Sequence, residues 1–414
     1  MYVSGMSGNE IFCLGLKGLE PGELVVGNSV VSLGVVGGLG ATITGVTGGE
    51  ITALTSLISE GRHRAIERMT AEAAKHDAVG VTAVISELRT LSGYMEFLAQ
   101  GTAVTGKSPS EAMFSTAASG MEAYCHLDAG YRPRKFVMGN VAYALGLGQG
   151  LTGSLRTLAR GEVTEFSTMY NHIRHLALQR LQREAFEVGA NAVVDIRVKL
   201  LPFGVATELL MTGTASFHPR FGTPSRPEDV VTSELTGEEL WNLATLGLAP
   251  SQLVMATSIV SLGVVGGIGS ALKGMTRGEI PELTQLVYEA RANCVEILRS
   301  EARRAGADRV VGNRLMIREV QNGLIEVVAL GTAMRRLDAI APETATLPPQ
   351  AIIVDAASAE LDGPLQGAGN VEAVARARAQ AAPGQLQGCL VLLILLSIFA
   401  CMFGIAIVNA AVSH

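Results

Sequence analysis

His172 and His175 stand three residues apart in a stretch with helical periodicity. That spacing sets two imidazoles on one side of a helix, the start of a transition-metal site. Cys125 followed by His126 is a second pairing of donors that bind metals. The chain supplies its own test of both, because it repeats itself. His63 is the equivalent of His175, but Ala292 holds that place in the third copy. His172 matches Glu60 and Glu289, and Cys125-His126 matches Cys13-Leu14 and Asn242-Leu243. A mixed His/Glu cluster across an interface is the metal reading. Exposed helix positions and small buried thiols are the simpler one. His172, His175, Cys125 and His126 therefore stand as weak metal candidates. No catalytic or cofactor-binding residue is assigned, and no cofactor is expected.

Three sets of acids recur in every copy. Glu50, Glu162 and Glu279 each follow a glycine at the expected opening of a long helix. They could be general bases, but the helix dipole alone favours an acid in a first turn. Glu96, Glu208 and Glu326 recur on the last strand, and Glu72, Glu184 and Glu301 late on the helix. Arg62, Arg174 and Arg291 recur as well, so salt bridges between neighbouring units are expected. The chain shows no nucleophile–base pair, phosphate-binding loop or dinucleotide fingerprint. The expectation is a protein that is not an enzyme.

The elements that hold these residues come from the repeat. Val30–Gly40 reads VVSLGVVGGLG, Ile259–Gly269 reads IVSLGVVGGIG, and Val141–Leu151 reads VAYALGLGQGL. The spacing from Arg62 to Arg174 is 112 positions and from Arg174 to Arg291 is 117, so each unit holds about 100 residues, a normal size for one core. Each copy opens on a capping box: Ser7…Glu10, Ser119…Glu122, Thr236…Glu239. Phe12, Tyr124 and Trp241 are expected to anchor this short helix, and Gly18, Gly130 and Gly247 to stop it. Strands follow at Leu24–Val31, Phe136–Tyr143 and Leu253–Val260, then a Gly-rich stretch. Next comes a long helix with an apolar stripe, at Leu54, Ile58, Ala65, Met69 and Ala73 in copy one. Two strands close each copy. In copy two Val194, Ile196, Val198 and Leu200 alternate with Asp195, Arg197 and Lys199, which predicts one wet face. Asn322-Gly323 reads as a hairpin turn. The fold class is α+β: three tandem α-β-α-β-β units, each a small sheet packed on one long helix.

These residues resemble a known family. The first strand carries V-x-G-N, the helix ends in E-A-x-x-x-G-A (Glu184-Ala185…Gly189-Ala190; Glu301-Ala302…Gly306-Ala307), and the last strand ends in G-T-A (Gly101-Thr102-Ala103, Gly213-Thr214-Ala215, Gly331-Thr332-Ala333). The combination resembles the bacterial YbjQ-like domain, which carries a heavy-metal-binding label. The resemblance implies a compact α+β unit that assembles into closed rings, often of five. The chain departs from the family's G-G-R-S signature, showing Gly48-Gly49-Glu50, Arg160-Gly161-Glu162 and Arg277-Gly278-Glu279 instead.

After residue 338 the composition changes to Ala, Pro, Gln and Gly, expected to be a flexible linker over 339–387. Residues 388–411 then form an uncharged run long enough to cross a bilayer as a helix. Arg376 and Arg378 precede it, which favours a cytoplasmic location for the bulk of the chain and a translocated C-terminus. The N-terminus has no basic region followed by an apolar run, so no signal peptide is expected. A net charge of −6 and few aromatics argue against a nucleic-acid partner. Five scattered cysteines without a CxxC fit a reducing compartment. The expected organisation is repeat 1 over 1–106, repeat 2 over 113–218, repeat 3 over 230–338, the linker and the transmembrane helix. The expected role is a membrane-tethered homo-oligomeric scaffold or adaptor with a lipid bilayer and an unidentified protein as partners. The copies would form successive tiers around one axis. The alternative is a metal- or small-ligand-binding protein with pockets between repeats.

Overall fold

The computed structural model describes residues 2–32, 48–91, 94–144, 161–203, 206–261, 279, 281–321 and 324–351. Repeat 1 runs α1 (Gly8–Gly15), β1 (Leu19–Ser32), β2 (Gly49–Glu50), α2 (Thr52–Ala74), β3 (Gly80–Leu91) and β4 (Tyr94–Gly106). Repeat 2 opens with β5 (Phe114–Ser115), followed by α3 (Gly120–Asp128), β6 (Arg132–Ala144), β7 (Gly161–Glu162), α4 (Thr164–Glu187), β8 (Ala192–Phe203) and β9 (Ala206–Phe217). Repeat 3 contains β10 (Val231–Thr232), α5 (Gly237–Thr245), β11 (Leu248–Ser261), α6 (Pro281–Arg304), β12 (Arg309–Gln321) and β13 (Leu324–Arg336). Mixed α+β with three sheet-and-helix units is thus the observed architecture.

Each unit is an antiparallel sheet with its last strand in the middle: β1-β4-β3, then β6-β9-β8, then β11-β13-β12. The first strands start about five residues before the apolar run that announces them. Pro21, Pro133 and Pro250 sit beside register breaks against the central strands, so a residue without an N–H is tolerated there. All three capping boxes form, each hydroxyl accepting from the N–H of the following Glu. Gly18, Gly130 and Gly247 take φ of 75°, 90° and 68°, the left-handed turn out of the short helix. The V-x-G-N glycine has a packing reason. A Cβ on Gly139 would lie 2.0 Å from Ala177 O, so the long helix rests directly on the strand backbone.

Four expectations need correction. Gly49-Glu50 and Gly161-Glu162 do not open the long helices; they are the short strands β2 and β7, and the helices begin at Thr52 and Thr164. Asp195 is not on a wet face. The strand breaks register between Val194 and Arg197, Asp195 turns to φ 54°, and its side chain is buried. Phe12 does not anchor α1: it is 47% exposed, while its equivalents Tyr124 and Trp241 are buried. Finally, the linker does not begin at residue 339. Ile340 and Ala351 are buried, and the segment between them lies against the short helices. The turn at Asn322-Gly323, most of the Gly-rich stretches and residues 388–411 lie outside the described residues. No helix among the described residues is long and apolar enough to cross a membrane.

The cores do not stop at repeat boundaries. The core under α2 includes Val25, Ile58 and Phe97 of repeat 1 and continues into Phe136, Met138 and Leu210 of repeat 2. The core under α4 continues from repeat 2 into Leu253, Met255 and Val328 of repeat 3. The core under α6 is built from repeat 3 alone.

Candidate functional site

The recurrent charged residues meet at the joints between repeats. At the first joint Arg62 of α2 reaches Glu208 on β9, with Nε donating to Oε1 at 3.1 Å and Nη2 to Oε2 at 2.7 Å. Both side chains are fully buried. Asn140 Nδ2 adds a bond to Glu208 Oε1 at 3.3 Å, and Arg62 Nη1 donates to Ser86 Oγ at 3.0 Å. Two parallel N–H···O bonds to one carboxylate form the strongest geometry available to an Arg–acid pair. At the second joint Arg174 Nη2 of α4 stands 2.7 Å from Glu326 Oε1 on β13, though off the line a hydrogen bond requires. Arg318 Nε donates to the other oxygen of Glu326.

Backbone pairing seals the same joints. β2 of repeat 1 pairs with β6 of repeat 2, and β7 of repeat 2 with β11 of repeat 3. Thr55 Oγ1 accepts from Ala142 N at 2.9 Å, and Ser167 Oγ from Ile259 N at 2.8 Å. In the other direction β5 lies parallel to β3, and β10 parallel to β8. Each internal sheet edge therefore carries a strand from the neighbouring repeat, which covers the unpaired N–H and C=O groups an edge would expose. Glu50, which sequence reasoning placed in a first helical turn, pairs instead with Arg180 of repeat 2 at 2.8 Å.

The late-helix acids have a double task. Glu184 accepts from Met138 N and Glu301 from Met255 N on the strand beneath each helix. Their second oxygens meet histidines of the preceding repeat: His63 Nε2 to Glu184 at 2.6 Å and His175 Nε2 to Glu301 at 3.1 Å. The hydrogen bond to Glu184 holds His63 above the ordinary imidazole range, and Glu301 does the same for His175.

The short helices carry a third contact. Asp128 at the end of α3 is met by Lys17 Nζ at 2.6 Å, Trp241 Nε1 at 2.7 Å and Thr344 Oγ1 at 2.7 Å. Burial opposes the charge, but these donors hold the carboxyl below its usual range. One carboxylate thus ties together the short-helix regions of all three repeats and the segment that follows repeat 3. Sequence reasoning missed it because the equivalents of Asp128 in the other two copies are Leu16 and Thr245, so no acid recurs there.

The metal candidates do not converge. His172 is exposed, whereas both ring nitrogens of His175 are engaged, with Asn171 O and Glu301. Cys125 is buried, its Sγ 3.8 Å from Ala351 O, and burial pushes the thiol far up. Cys13 and Cys294 are buried too, and burial raises both. His126 is buried on α3, where desolvation lowers it to about 4 and Nε2 finds no hydrogen-bond partner. No group of three or more His, Cys, Asp and Glu side chains that could hold a metal ion exists among the described residues. A thiolate or imidazole site needs several convergent donors, and His172, His175, Cys125 and His126 do not supply them to one another.

Fold and joints together define a class: a tandem array of small α+β domains whose recurrent residues serve contacts between domains. Three stretches, 17–107, 131–218 and 248–336, match the profile of the YbjQ family described as "Putative heavy-metal-binding". The chain belongs to that family, as three tandem domains. It is 33% identical over 229 residues to the Encapsulin nanocompartment protein Rv1762c of Mycobacterium tuberculosis, covering 52% of this chain and 85% of the relative. It is 40% identical over 80 residues to UPF0145 protein Ta0182 of Thermoplasma acidophilum, covering 19% of this chain and 67% of the relative. A UPF0145 protein of Thermotoga maritima is 36% identical over 90 residues, 21% of this chain and 85% of the relative. No solved structure matches.

Proposed function

We propose that this protein is a non-enzymatic, oligomer-forming scaffold, tethered through residues 388–411 with its three domains on the cytoplasmic face of a membrane. One observation carries the reading: the recurrent Arg and Glu residues build the same domain-to-domain joint twice. They are spent on assembly and lie buried, away from any substrate. The name of the Mycobacterium tuberculosis relative, a nanocompartment protein, points the same way. In place of the tiered arrangement expected from the sequence, this reading has the copies follow one another along a single run, because Arg62 and Arg174 join copy to copy within one chain. Sedimentation of the full chain in detergent tests the assembly, with a mass of several chains expected and a single-chain mass contradicting it. Membrane fractionation tests the tether. Deleting 388–414 should release folded protein, and a truncated chain that stays with membranes or loses its helicity contradicts it.

The second reading, a metal- or small-ligand-binding protein, keeps one observation in its favour. Glu122 Oε1 and His126 Nε2, one turn apart on α3, are buried without hydrogen-bond partners among the described residues. Metal analysis of the purified full chain and of His126→Gln separates the two readings. Stoichiometric metal lost in the variant favours the second.

A further inference from the structure

Each internal joint is made of two unlike faces. The donor face is the outer side of a long helix with its arginine. The acceptor face is the first strand and central strand of the next sheet, with its glutamate. Three repeats make two joints, so one acceptor face on repeat 1 and one donor face on repeat 3 are left over.

Both leftover faces carry the residues that are buried where the joint is closed. On repeat 1, Leu24, Val26 and Val30 are 44%, 39% and 56% exposed. Their equivalents Phe136, Met138 and Ala142 are 2%, 3% and 1% exposed, and Leu253, Met255 and Ile259 no more than 2%. Tyr94 is half exposed, where Ala206 and Leu324 are buried. On repeat 3, Arg291 is exposed where Arg62 and Arg174 are buried, and it forms no ion pair among the described residues. Tyr288 and Leu315 stand out beside it. Glu96, the equivalent of Glu208 and Glu326, is half-buried, and among the described residues its hydrogen-bond donor is Asn28 Nδ2 at 3.4 Å, while Arg89 opposite it in the sheet pairs with Glu87. The leading segment repeats the pattern. Tyr2 and Val3 occupy the places of Phe114 and Ser115, which add to the edge of the preceding sheet, yet both are exposed.

We propose that the donor face of repeat 3 docks on the acceptor face of repeat 1 of a second copy of this chain, with Arg291 paired to Glu96. This rests on the scaffold reading and names its partner and its joint. The occupant is a second copy because each leftover face is one half of an interface whose other half the same chain builds twice. Charge complementarity agrees, an unpaired guanidinium on one face and an underused carboxylate on the other. Within one chain the two faces are both open, so they do not meet each other. The contact is head-to-tail: it leaves one donor and one acceptor face free after every addition, and it ends only by closing on itself. The new joint lacks one contact of the internal ones, since Ala292 stands where His63 and His175 reach the next repeat's glutamate.

A charge-swap experiment on the full chain in detergent tests this. Arg291→Glu places like charges in the joint, and so does Glu96→Arg. Each variant alone should raise the concentration for half-dissociation by at least roughly tenfold, since juxtaposed like charges oppose docking. Combining Arg291→Glu with Glu96→Arg in one chain restores a complementary pair at every joint, whatever the number of chains, and should restore the wild-type mass. Circular dichroism of each variant checks folding, and recovery in the double variant shows that the single losses come from charge. A wild-type chain that sediments alone overturns the scaffold reading itself. An oligomer whose mass neither variant changes leaves that reading standing and overturns this joint, leaving another surface, such as residues 388–411, to hold the copies. Loss of mass without recovery in the double variant also overturns the Arg291–Glu96 pairing.

Discussion

The two internal joints bury the same carboxylate in different company. Glu208 is held by one guanidinium in a two-bond clasp and by the amide of Asn140. Glu326 is held between two guanidinium groups, Arg174 and Arg318, and Thr257 stands where Asn140 would be. Arg318 is itself partly exposed, which lets solvent share the excess positive charge of the second joint. The difference shows which part of the joint the fold demands. A buried acid must be paired and have its oxygens satisfied. The arginine on the helix recurs because only that position faces the acid across the joint. The other donor is supplied by whichever neighbour is in reach, so it differs between copies.

The largest expected effect separates the joints directly. Arg62→Met strips Glu208 of its charged partner and should destabilise by about 3–5 kcal/mol in denaturant unfolding. Arg174→Met leaves Arg318 on Glu326 and should cost clearly less. Equal losses would mean that Arg318 is no substitute and that the comparison is mistaken. Next comes the sealing hydroxyl. Thr55→Val and Ser167→Ala each leave a buried strand N–H without its acceptor and should cost about 1–3 kcal/mol apiece. The two should be alike, because Ala142 N and Ile259 N are held in the same way.

A smaller effect has opposite signs at the two joints. The Thr257 hydroxyl is buried with no hydrogen-bond partner among the described residues. Thr257→Val should therefore be neutral or stabilising by up to about 1 kcal/mol, whereas Asn140→Val should destabilise. A thermal melt of each variant decides it, and a loss of stability in Thr257→Val would show that the hydroxyl has work the structure does not reveal.

The smallest effect is in pH. His63 and His175 titrate above the unfolded imidazole value of about 6.5, held up first by their glutamates. A raised folded-state pKa means the contribution is complete below the unfolded value and fades as pH rises through the folded one. Wild type should lose more stability between pH 6 and pH 9 than His63→Gln does, and His175→Gln should behave likewise. His126, lowered by burial, acts in the opposite direction, weakening the fold as pH falls from about 6.5 towards about 4. Burial pushes Asp195 up to about 7, aided by Glu122, and Glu234 up to about 7, so both favour the fold as pH falls through that value. The comparison of variant with parent removes these shared contributions.

Much of this was legible in the sequence, for identifiable reasons. The capping boxes, the apolar helix stripe and the terminal glycines are local signals, and all three copies agree on them. The Arg–Glu recurrence pointed to contacts between units because a charge kept at one register in three copies needs a partner at another. What was not legible depends on the next repeat. Gly49-Glu50 reads as a helix start by itself, and only β6 beyond it makes it a strand. Asp195 belongs to the wet set by alternation, and the register break that turns it inward leaves no mark in the residue pattern. Phe12 looks like Tyr124 and Trp241, yet lies exposed while those two share a core with Cys13. Asp128 gathers Lys17, Trp241 and Thr344 from distant parts of the chain, and no spacing rule joins them.

The account rests on the recurrent pair being a joint, two buried charges that need each other. A double-mutant cycle with Arg62→Met, Glu208→Leu and both together measures that need directly. Each single variant should lose about 3–5 kcal/mol, while the apolar double variant should lose far less than their sum, because no charge is left buried alone. Single losses that simply add in the double variant would show that Arg62 and Glu208 act independently, and would contradict the joint.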